Sequence, residues 1–238
     1  MKLDILAFAA HPDDTELSCS GTLAAHLAKG KTAGVIDLTE GEMGTRGTIE
    51  DRRKEAADSA KLLGLSAREN LGFRDALFQK DPEHLEAVVR MIRKYRPSIV
   101  LANAISDRHP DHGKAADLVR EACFLSGLRK FETSDNGQNQ EEWRPEAVYH
   151  YIQSIYVKPD IVVDISDHWE TKMQAIKCFK TQFFDPSSDE PSTFISSDGF
   201  LKFLEGRARE FGYVIGAEYA EGFTVDRCIG VKNLFDLM

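Results

Sequence analysis

The sequence predicts an α/β protein built on a largely parallel sheet flanked by helices. Stretches typical of strands alternate with stretches typical of helices, which is the pattern of parallel strands joined by helical crossovers. The first stretch, Leu3 to Ala10, is almost wholly apolar, as expected for a central strand that helices cover on both sides. Pro12 ends this strand because proline has no N–H to donate to a neighbouring strand.

Composition narrows the classes of protein to consider. The 238 residues suit one large domain, so we expect a single domain over residues 1–238. The net charge of −9 disfavours nucleic acid as a partner, because its phosphates need clustered Lys and Arg. No apolar run approaches the roughly 20 residues of a membrane helix, and Met1 to Asp4 lack the features of a secretory signal. We expect a cytoplasmic protein without a nucleic-acid or membrane partner.

The four cysteines lie far apart in the sequence and form no CxxC pair; they are Cys19, Cys123, Cys178 and Cys228. This spacing disfavours a thiolate zinc finger and a disulfide framework. Reduced thiols are the expectation.

In the first part of the chain, a helix is predicted from Thr15 to Ala28 and a second strand from Ala33 to Thr39. The glycine-rich residues 41–47 follow this strand, and we expect them to form a mobile loop that closes over a substrate. Thr48 has the position of a helix N-cap and Gly64 that of a C-terminal stop, which predicts a helix between them.

The second part of the chain continues the alternation. Residues 133–142 are polar, which indicates an exposed loop, and residues 183–198 indicate a loop that acts as a lid. The predicted elements are helices Pro82 to Tyr95 and Gly113 to Leu125, strands Ile99 to Ala102, Val148 to Ile155 and Ile161 to Ile165, and a helix from Ser166 or Asp167 through Lys180.

Two clusters of histidine and aspartate follow buried strands. They are His11, Asp13 and Asp14 after the first strand, and His109, Asp111 and His112 after the strand Ile99 to Ala102. Open α/β sheets bind ligands at the carboxyl ends of their strands, so both clusters are expected at one edge of the sheet. The sequence therefore predicts a site there.

The residue types of these clusters suit zinc, which accepts imidazole nitrogen and carboxylate oxygen in one tetrahedral shell. Two histidines and one aspartate would leave a position open for water, and Asp13 is the candidate base beside it. His11 and Asp14 are three residues apart, as are His109 and His112. Spacing alone does not decide which of the two later histidines binds the metal.

Simpler interpretations exist for each cluster. Asp13 and Asp14 are also typical of a helix N-terminus, and His109 and His112 are typical of a protein surface. A nucleotide-binding module is a further class, but the first turn lacks the glycines that a pyrophosphate needs. A zinc-binding protein without catalysis would have no use for Asp13.

Four stretches resemble a known family: AFAAHPDDTELSCSGTLA, IDLTEGEMGTRGT, DRHPDHGKAADLV and IGAEYAEGF. They are similar to the zinc-dependent N-acetylglucosamine deacetylases of the LmbE-like superfamily, and within it to the deacetylases of bacillithiol biosynthesis. The resemblance covers nearly the whole chain and implies a Rossmann-like α/β sheet.

The resemblance also implies a role for each residue of the two clusters. The implied zinc ligands are His11, Asp14 and His112. Asp13 is implied to be the general base, and His109 is implied to stabilise or protonate the tetrahedral intermediate. Asp111 is implied to orient and charge His109.

The substrate implied by the resemblance is N-acetylglucosaminyl malate, which would yield glucosaminyl malate and acetate. Arg52 and Arg108 are expected to bind its malate carboxylates, since arginine forms paired bonds to carboxylates. The alternatives are a chitooligosaccharide or mycothiol-type deacetylase and a thiol S-conjugate amidase. Relatives often form hexamers, so the resemblance implies a homo-oligomer, with a hexamer as the expected form.

Overall fold

The computed structural model describes residues 1–183 and 189–237. The described residues form nine strands: β1 (Ile5–Ala9), β2 (Ala33–Thr39), β3 (Ala67–Phe73), β4 (Ile99–Ala102), β5 (Ser134–Asp135), β6 (Gln138–Asn139), β7 (Ala147–Tyr151), β8 (Ile161–Asp164) and β9 (Ala220–Val225). The α-helices in these ranges are α1 (Asp14–Ser18), α2 (Ser20–Ala28), α3 (Ile49–Leu63), α4 (Pro82–Tyr95), α5 (Pro110–Leu125), α6 (Trp169–Lys177) and α7 (Asp198–Ile215). Short 3₁₀ helices span Ser166–His168 and Leu234–Leu237.

Seven strands form one sheet in the order β3-β2-β1-β4-β7-β9-β8. The first five of these run parallel, and β9 pairs antiparallel with both β7 and β8. The predicted largely parallel α/β sheet flanked by helices is confirmed. Because the order reverses between β1 and β4, the carboxyl ends of these two strands open a crevice where ligands bind in such sheets.

Strand β1 lies at the centre and is buried along its whole length. Its alternate side chains enter two cores: Leu6 and Phe8 pack with residues of α4 and α5, and Ile5 and Ala7 pack on the opposite face. Each large apolar side chain buried in this way stabilises the fold by roughly 1.5–3 kcal/mol. Packing on both faces thus fixes the strand that precedes the HPDD motif, residues His11 to Asp14.

Several predicted boundaries are confirmed. Thr48 accepts a hydrogen bond from the Asp51 amide and forms a capping box with it, and Gly64 ends α3 in the left-handed conformation at φ 75°. Asp81 caps α4, and Pro82 takes its first helical position, where the missing N–H costs nothing.

The predicted helix from Thr15 to Ala28 is wrong in one respect, because it is two helices with a break at Cys19. Lys172 donates to the carbonyl oxygens of Glu16 and Leu17 at the end of α1. Glu221 accepts from the amides at the start of α2. A buried ion pair from distant elements therefore satisfies both helix ends, which a local pattern does not reveal.

Other differences are smaller. Helix α5 begins at Pro110 instead of Gly113, strands β7 and β8 end earlier than predicted, and the last predicted helix ends at Lys177. Residues 133–142 contain the β5–β6 hairpin, whose turn residues Asn136 and Gly137 have positive φ.

The predicted lid lies partly outside the described residues, because residues 184–188 are not described. In the part of the chain that the structure describes, no helix is long and apolar enough to cross a membrane. The cysteines Cys19, Cys123, Cys178 and Cys228 are free thiols, as predicted.

Candidate active site

The HPDD turn places Asp13 in an unusual backbone conformation. Its φ of 120° and ψ of −21° lie outside the regions that L-residues prefer. Asp13 occupies the N-cap position of α1, yet its side chain makes no capping hydrogen bond. The interpretation of this carboxylate as a helix cap therefore fails, and the strain is of the kind that marks functional sites.

Asp14 lies at the centre of the site and is buried. Its Oδ2 accepts hydrogen bonds from the His11 amide and from Nδ2 of Asn103, both at 3.0 Å. Its Oδ1 accepts from Nε2 of Gln153 at 3.0 Å and lies 3.1 Å from Nε2 of His112. Nδ1 of His11 is 3.6 Å from Oδ2. One carboxylate thus faces two imidazoles.

Both of these imidazoles are oriented by a second carboxylate. Nε2 of His11 donates to Oδ1 of Asp75 at 3.0 Å, and Nδ1 of His112 donates to Oδ2 of Asp107 at 2.6 Å. A carboxylate only accepts hydrogen bonds, so these contacts place the ring protons on the outer nitrogens. The inner nitrogens, Nδ1 of His11 and Nε2 of His112, face Asp14, and a bound cation would take the lone pair of each in place of a proton. Histidines that bind metals are held in this way.

The donor set fits a divalent cation. Ligand atoms of His11, His109 and His112 lie within 4.8 Å of one another. Burial lowers the pKa of His112, but Asp14 and Asp107 outweigh it and raise that pKa to about 9. Burial also lowers the pKa of His11, but its hydrogen bonds to the carboxylates of Asp111, Asp14 and Asp75 outweigh burial and raise that pKa well above its ordinary value. The buried carboxylates therefore attract positive charge. The nitrogens of His11 and His112 and the carboxylate oxygens of Asp14, which lie 3.6 and 3.1 Å from them, are ligand types that suit zinc.

Asp13 lies beside this cluster and contacts Arg52. Nη2 of Arg52 is 3.5 Å from Oδ2 of Asp13 and also donates to the carbonyl oxygen of Pro12. Burial raises the pKa of Asp13 to about 7, with Arg52 opposing the shift and Asp14 adding to it. Both side chains are buried, so Arg52 is engaged in fixing the HPDD turn.

His109 is the N-cap of α5, and its Nδ1 accepts a hydrogen bond from the Asp111 amide at 3.3 Å. Its ring meets that of His11 edge to face, with centroids 4.6 Å apart. An accepting Nδ1 leaves the ring proton on Nε2, which makes that atom a donor. Burial lowers the pKa of His109, so the neutral form is favoured.

The carboxylate of Asp111 makes its hydrogen bonds to groups other than His109. It accepts from the Ala76 amide at 2.8 Å and from Lys114 at 3.0 Å, and it lies 3.6 Å from Nε2 of His11. Asp111 therefore positions His109 through its backbone amide, and its side chain contacts the His11 end of the site.

A cavity of about 400 Å³ opens over these groups. Seven of the eight residues singled out in the sequence line it: His11, Asp13, Asp14, Arg52, Arg108, His109 and His112. Gly41, Met43 and Gly44 of the glycine-rich loop form part of its wall, as does Ile195 of the predicted lid. Arg108 is exposed, and its guanidinium lies 4.5 Å from the centroid of the Phe194 ring.

Three residues of the site were missed in the sequence, namely Asn103, Asp75 and Gln153, and a fourth, Asp107, begins the DRHPDHGKAADLV stretch but was given no role. Asn103, Asp107 and Gln153 follow β4 and β7, and Asp75 follows β3, so position after a strand was the available signal. Asp75 follows a strand that was itself not predicted, since β3 is a polar edge strand.

A parallel α/β sheet with imidazoles and carboxylates gathered at its strand ends defines a class of enzymes with a candidate metal centre at this edge. Residues 6–123 match the family model described as PIG-L, GlcNAc-PI de-N-acetylase. The chain is 31% identical over 230 residues to the diacetylchitobiose deacetylase of Thermococcus kodakarensis, covering 92% of this chain and 81% of that protein. The chain belongs to the PIG-L or LmbE-like deacetylase family.

Two further similarities bear on the predictions. The conserved protein TT1542 of Thermus thermophilus has a TM-score of 0.85 and 35% identity, with coverage of 97% of this chain and 98% of that chain. The probable N-acetyl-α-D-glucosaminyl L-malate deacetylase 2 of Bacillus subtilis is 25% identical over 199 residues, 76% of this chain and 84% of that protein. The predicted family is confirmed, whereas the special closeness to bacillithiol enzymes stays a prediction.

Proposed function

We propose that this protein is a zinc-dependent hydrolase that removes the N-acetyl group of N-acetylglucosaminyl malate. The supporting observation is the position of a buried base, Asp13, which makes no capping hydrogen bond and stands next to Asp14 and the inner nitrogens of His11 and His112. His11, Asp14 and His112 would hold the zinc ion. Storage of a metal requires only ligands, whereas hydrolysis also requires a base.

A bound zinc ion would polarise the acetamide carbonyl and lower the pKa of a water molecule to roughly 7. Asp13 takes a proton from the attacking water and later delivers it to the departing amine. The Nε2–H of His109 donates to the carbonyl oxygen as negative charge develops on it. Arg52 holds Asp13 and the Pro12 carbonyl, which keeps the base in place. The products are acetate and a free amine.

A neutral disaccharide is the second candidate substrate. It is favoured by the 31% identity to a diacetylchitobiose deacetylase, which exceeds the identity to the malate deacetylase. In the malate hypothesis Arg108 is a binding group for the malate, since its guanidinium lines the cavity. A cytoplasmic location, a single domain over residues 1–238 and a hexameric homo-oligomer are further parts of the proposal.

The test is an assay of free-amine release from N-acetylglucosaminyl malate, diacetylchitobiose and N-acetylglucosamine, with zinc quantified in every sample. Zinc-loaded wild type should prefer the malate conjugate. Asp13→Asn should retain zinc and lose activity about 100- to 10,000-fold, as expected for a general base. Asp117→Asn changes a partly exposed aspartate of α5; it is the matched control and should be fully active. A zinc-loaded wild type that deacetylates none of the three sugars contradicts the proposal.

A further inference from the structure

One face of α7 forms a wall of the cavity. Its lining residues are Phe200, Phe203, Leu204, Arg207, Ala208 and Phe211. They recur at intervals of three and one, so they form a continuous stripe on the helix. Five of the six are apolar, and a single cation, Arg207, stands among them.

The environment of Arg207 is aromatic and largely dry. Its side chain is 15% exposed, and its guanidinium carbon lies 5.2 Å from the ring centroids of Tyr156 and Phe203 and 5.7 Å from that of Phe211. Burial lowers the pKa of Arg207. A cation in such surroundings binds an anion more strongly than one in water does, because little solvent screens the pair.

Arg207 has few polar contacts for a group with five N–H donors. Within residues 1–183 and 189–237, its guanidinium reaches the carbonyl oxygen of Gln153 at 3.4 Å and the carboxylate of Glu210 at 3.7 Å. Glu210 is 56% exposed, so this pair is a weak surface interaction. Most of the hydrogen-bonding capacity of Arg207 is available to a ligand.

The other buried cations of the cavity, Arg52 and Lys172, each contact a buried carboxylate. Arg52 binds the Pro12 carbonyl and Asp13, and Nζ of Lys172 donates to two backbone carbonyls and to Glu221. Nε of Arg52 also lacks a partner. Among the described cationic groups that line the cavity, Arg207 is the buried one whose contacting carboxylate is exposed.

Gln153 connects Arg207 to the centre of the site. Its side-chain amide donates to Asp14 and lies 3.3 Å from Nε2 of His112, while its backbone carbonyl faces Arg207. A substrate whose amide lies at Asp14 and His112 and which extends along α7 would bring its distal group to Arg207.

We propose that Arg207 is the specificity-determining residue for an anionic substituent of the substrate, a carboxylate or a phosphate attached to the amino sugar away from its N-acetyl group. This inference rests on the proposed function for the position of the amide. It assigns the anion to α7, a helix that carries none of the residues identified by motif.

The test is calorimetric titration into the zinc-loaded Asp13→Asn protein, with and without Arg207→Gln. The ligands are N-acetylglucosaminyl malate, N-acetylglucosamine 1-phosphate and the neutral methyl glycoside of N-acetylglucosamine. Arg207→Gln should weaken one or both anionic ligands about 10- to 100-fold, the size of a charge-assisted hydrogen bond, and leave the neutral ligand unchanged. The ligand that is weakened identifies carboxylate or phosphate as the preferred anion.

Two further variants separate charge from packing. Arg207→Lys keeps a cation and should recover part of the affinity, whereas Arg209→Gln removes a half-exposed arginine of the same helix and should change nothing. Equal weakening of all three ligands, or none, overturns the proposal. Amine release is measured in parallel with proteins in which Asp13 is intact, with and without each Arg207 substitution. Arg207-dependent binding without any turnover refutes the proposed function alone, and turnover with binding indifferent to Arg207 refutes the anion site alone.

Discussion

Nδ1 of His112 donates a hydrogen bond to the carboxylate of Asp107 at 2.6 Å, and the side chain of Asp107 is fully buried. This bond directs Nε2 of His112 toward Asp14. Asp107 also accepts from the Ile155 amide at 2.7 Å, so its own position is fixed by the loop after β7. A residue outside the proposed set of zinc ligands thus orients one of those ligands.

Asp107→Asn should weaken zinc binding about 10- to 100-fold, because an amide holds the imidazole less firmly and lowers its basicity. Competition with a chromophoric chelator measures this affinity. Asp117→Asn serves as the control, because Asp117 lies on the same helix as His112, α5, but is not part of the site. Unchanged zinc affinity in Asp107→Asn would show that the Asp107 contact does not position His112.

The strained backbone of Asp13 predicts a difference in stability between two inactive variants. Asp13→Gly and Asp13→Ala both remove the proposed base and should both be inactive. Glycine tolerates a φ of 120°, whereas alanine does not, so the glycine variant should be more stable by about 1 kcal/mol. Urea unfolding of the two metal-free proteins measures the difference. Equal free energies of unfolding would refute the strain.

The buried pair of Lys172 and Glu221 predicts a large loss of stability from a single substitution. Nζ of Lys172 lies 2.7 Å from Oε1 of Glu221, and both side chains are almost fully buried. Lys172→Met leaves an uncompensated carboxylate and should destabilise the fold by about 3–5 kcal/mol. The double variant Lys172→Met, Glu221→Gln should recover part of this loss in the same urea experiment. A double variant less stable than Lys172→Met would contradict the explanation.

His150 predicts a pH dependence of stability. It is buried, its Nδ1 donates to the Asn103 carbonyl at 2.9 Å, and burial lowers its pKa below the ordinary value of 6.5. As the pH falls through about 6.5, His150 binds a proton in the unfolded chain but not in the folded chain. The free energy of unfolding therefore falls as the pH drops below about 6.5. His150→Asn keeps a donor but does not titrate, and its free energy of unfolding should fall less between pH 7 and 5.

Unfolding is measured in chelator for both proteins, so that the other histidines contribute equally. The two curves of stability against pH should converge toward acid. Parallel curves would mean that His150 is protonated equally in the folded and unfolded chains.

Prediction from the sequence succeeded where the signal was local. The apolar run of β1, the cap at Thr48 and the histidine and aspartate types after two strands are properties of neighbouring residues, and the fold confirms each of them. The break at Cys19 depends on Lys172 and Glu221, which lie about 150 and 200 positions away in the sequence. Contacts of this range are not visible as a pattern.

The site shows the same division. Motif resemblance brought together residues that the structure does place in one cavity, but it did not indicate that the Asp111 carboxylate lies near His11. Asp75 was missed because β3 is a polar strand at the sheet edge, where alternation of apolar residues fades. Arg207 was missed because α7 was not predicted, although the stripe from Phe200 to Phe211 has clear helical spacing.

The most direct test of the central claim is a zinc titration of metal-free protein with the rate of amine release followed at each addition. If His11, Asp14 and His112 form one zinc site, release of amine from an N-acetylglucosaminyl substrate should rise in proportion to zinc and level off at about one ion per chain. His112→Ala should remain nearly inactive at the same zinc concentration. Amine release at the full rate by the metal-free protein, or by His112→Ala, would contradict a metal-dependent deacetylase.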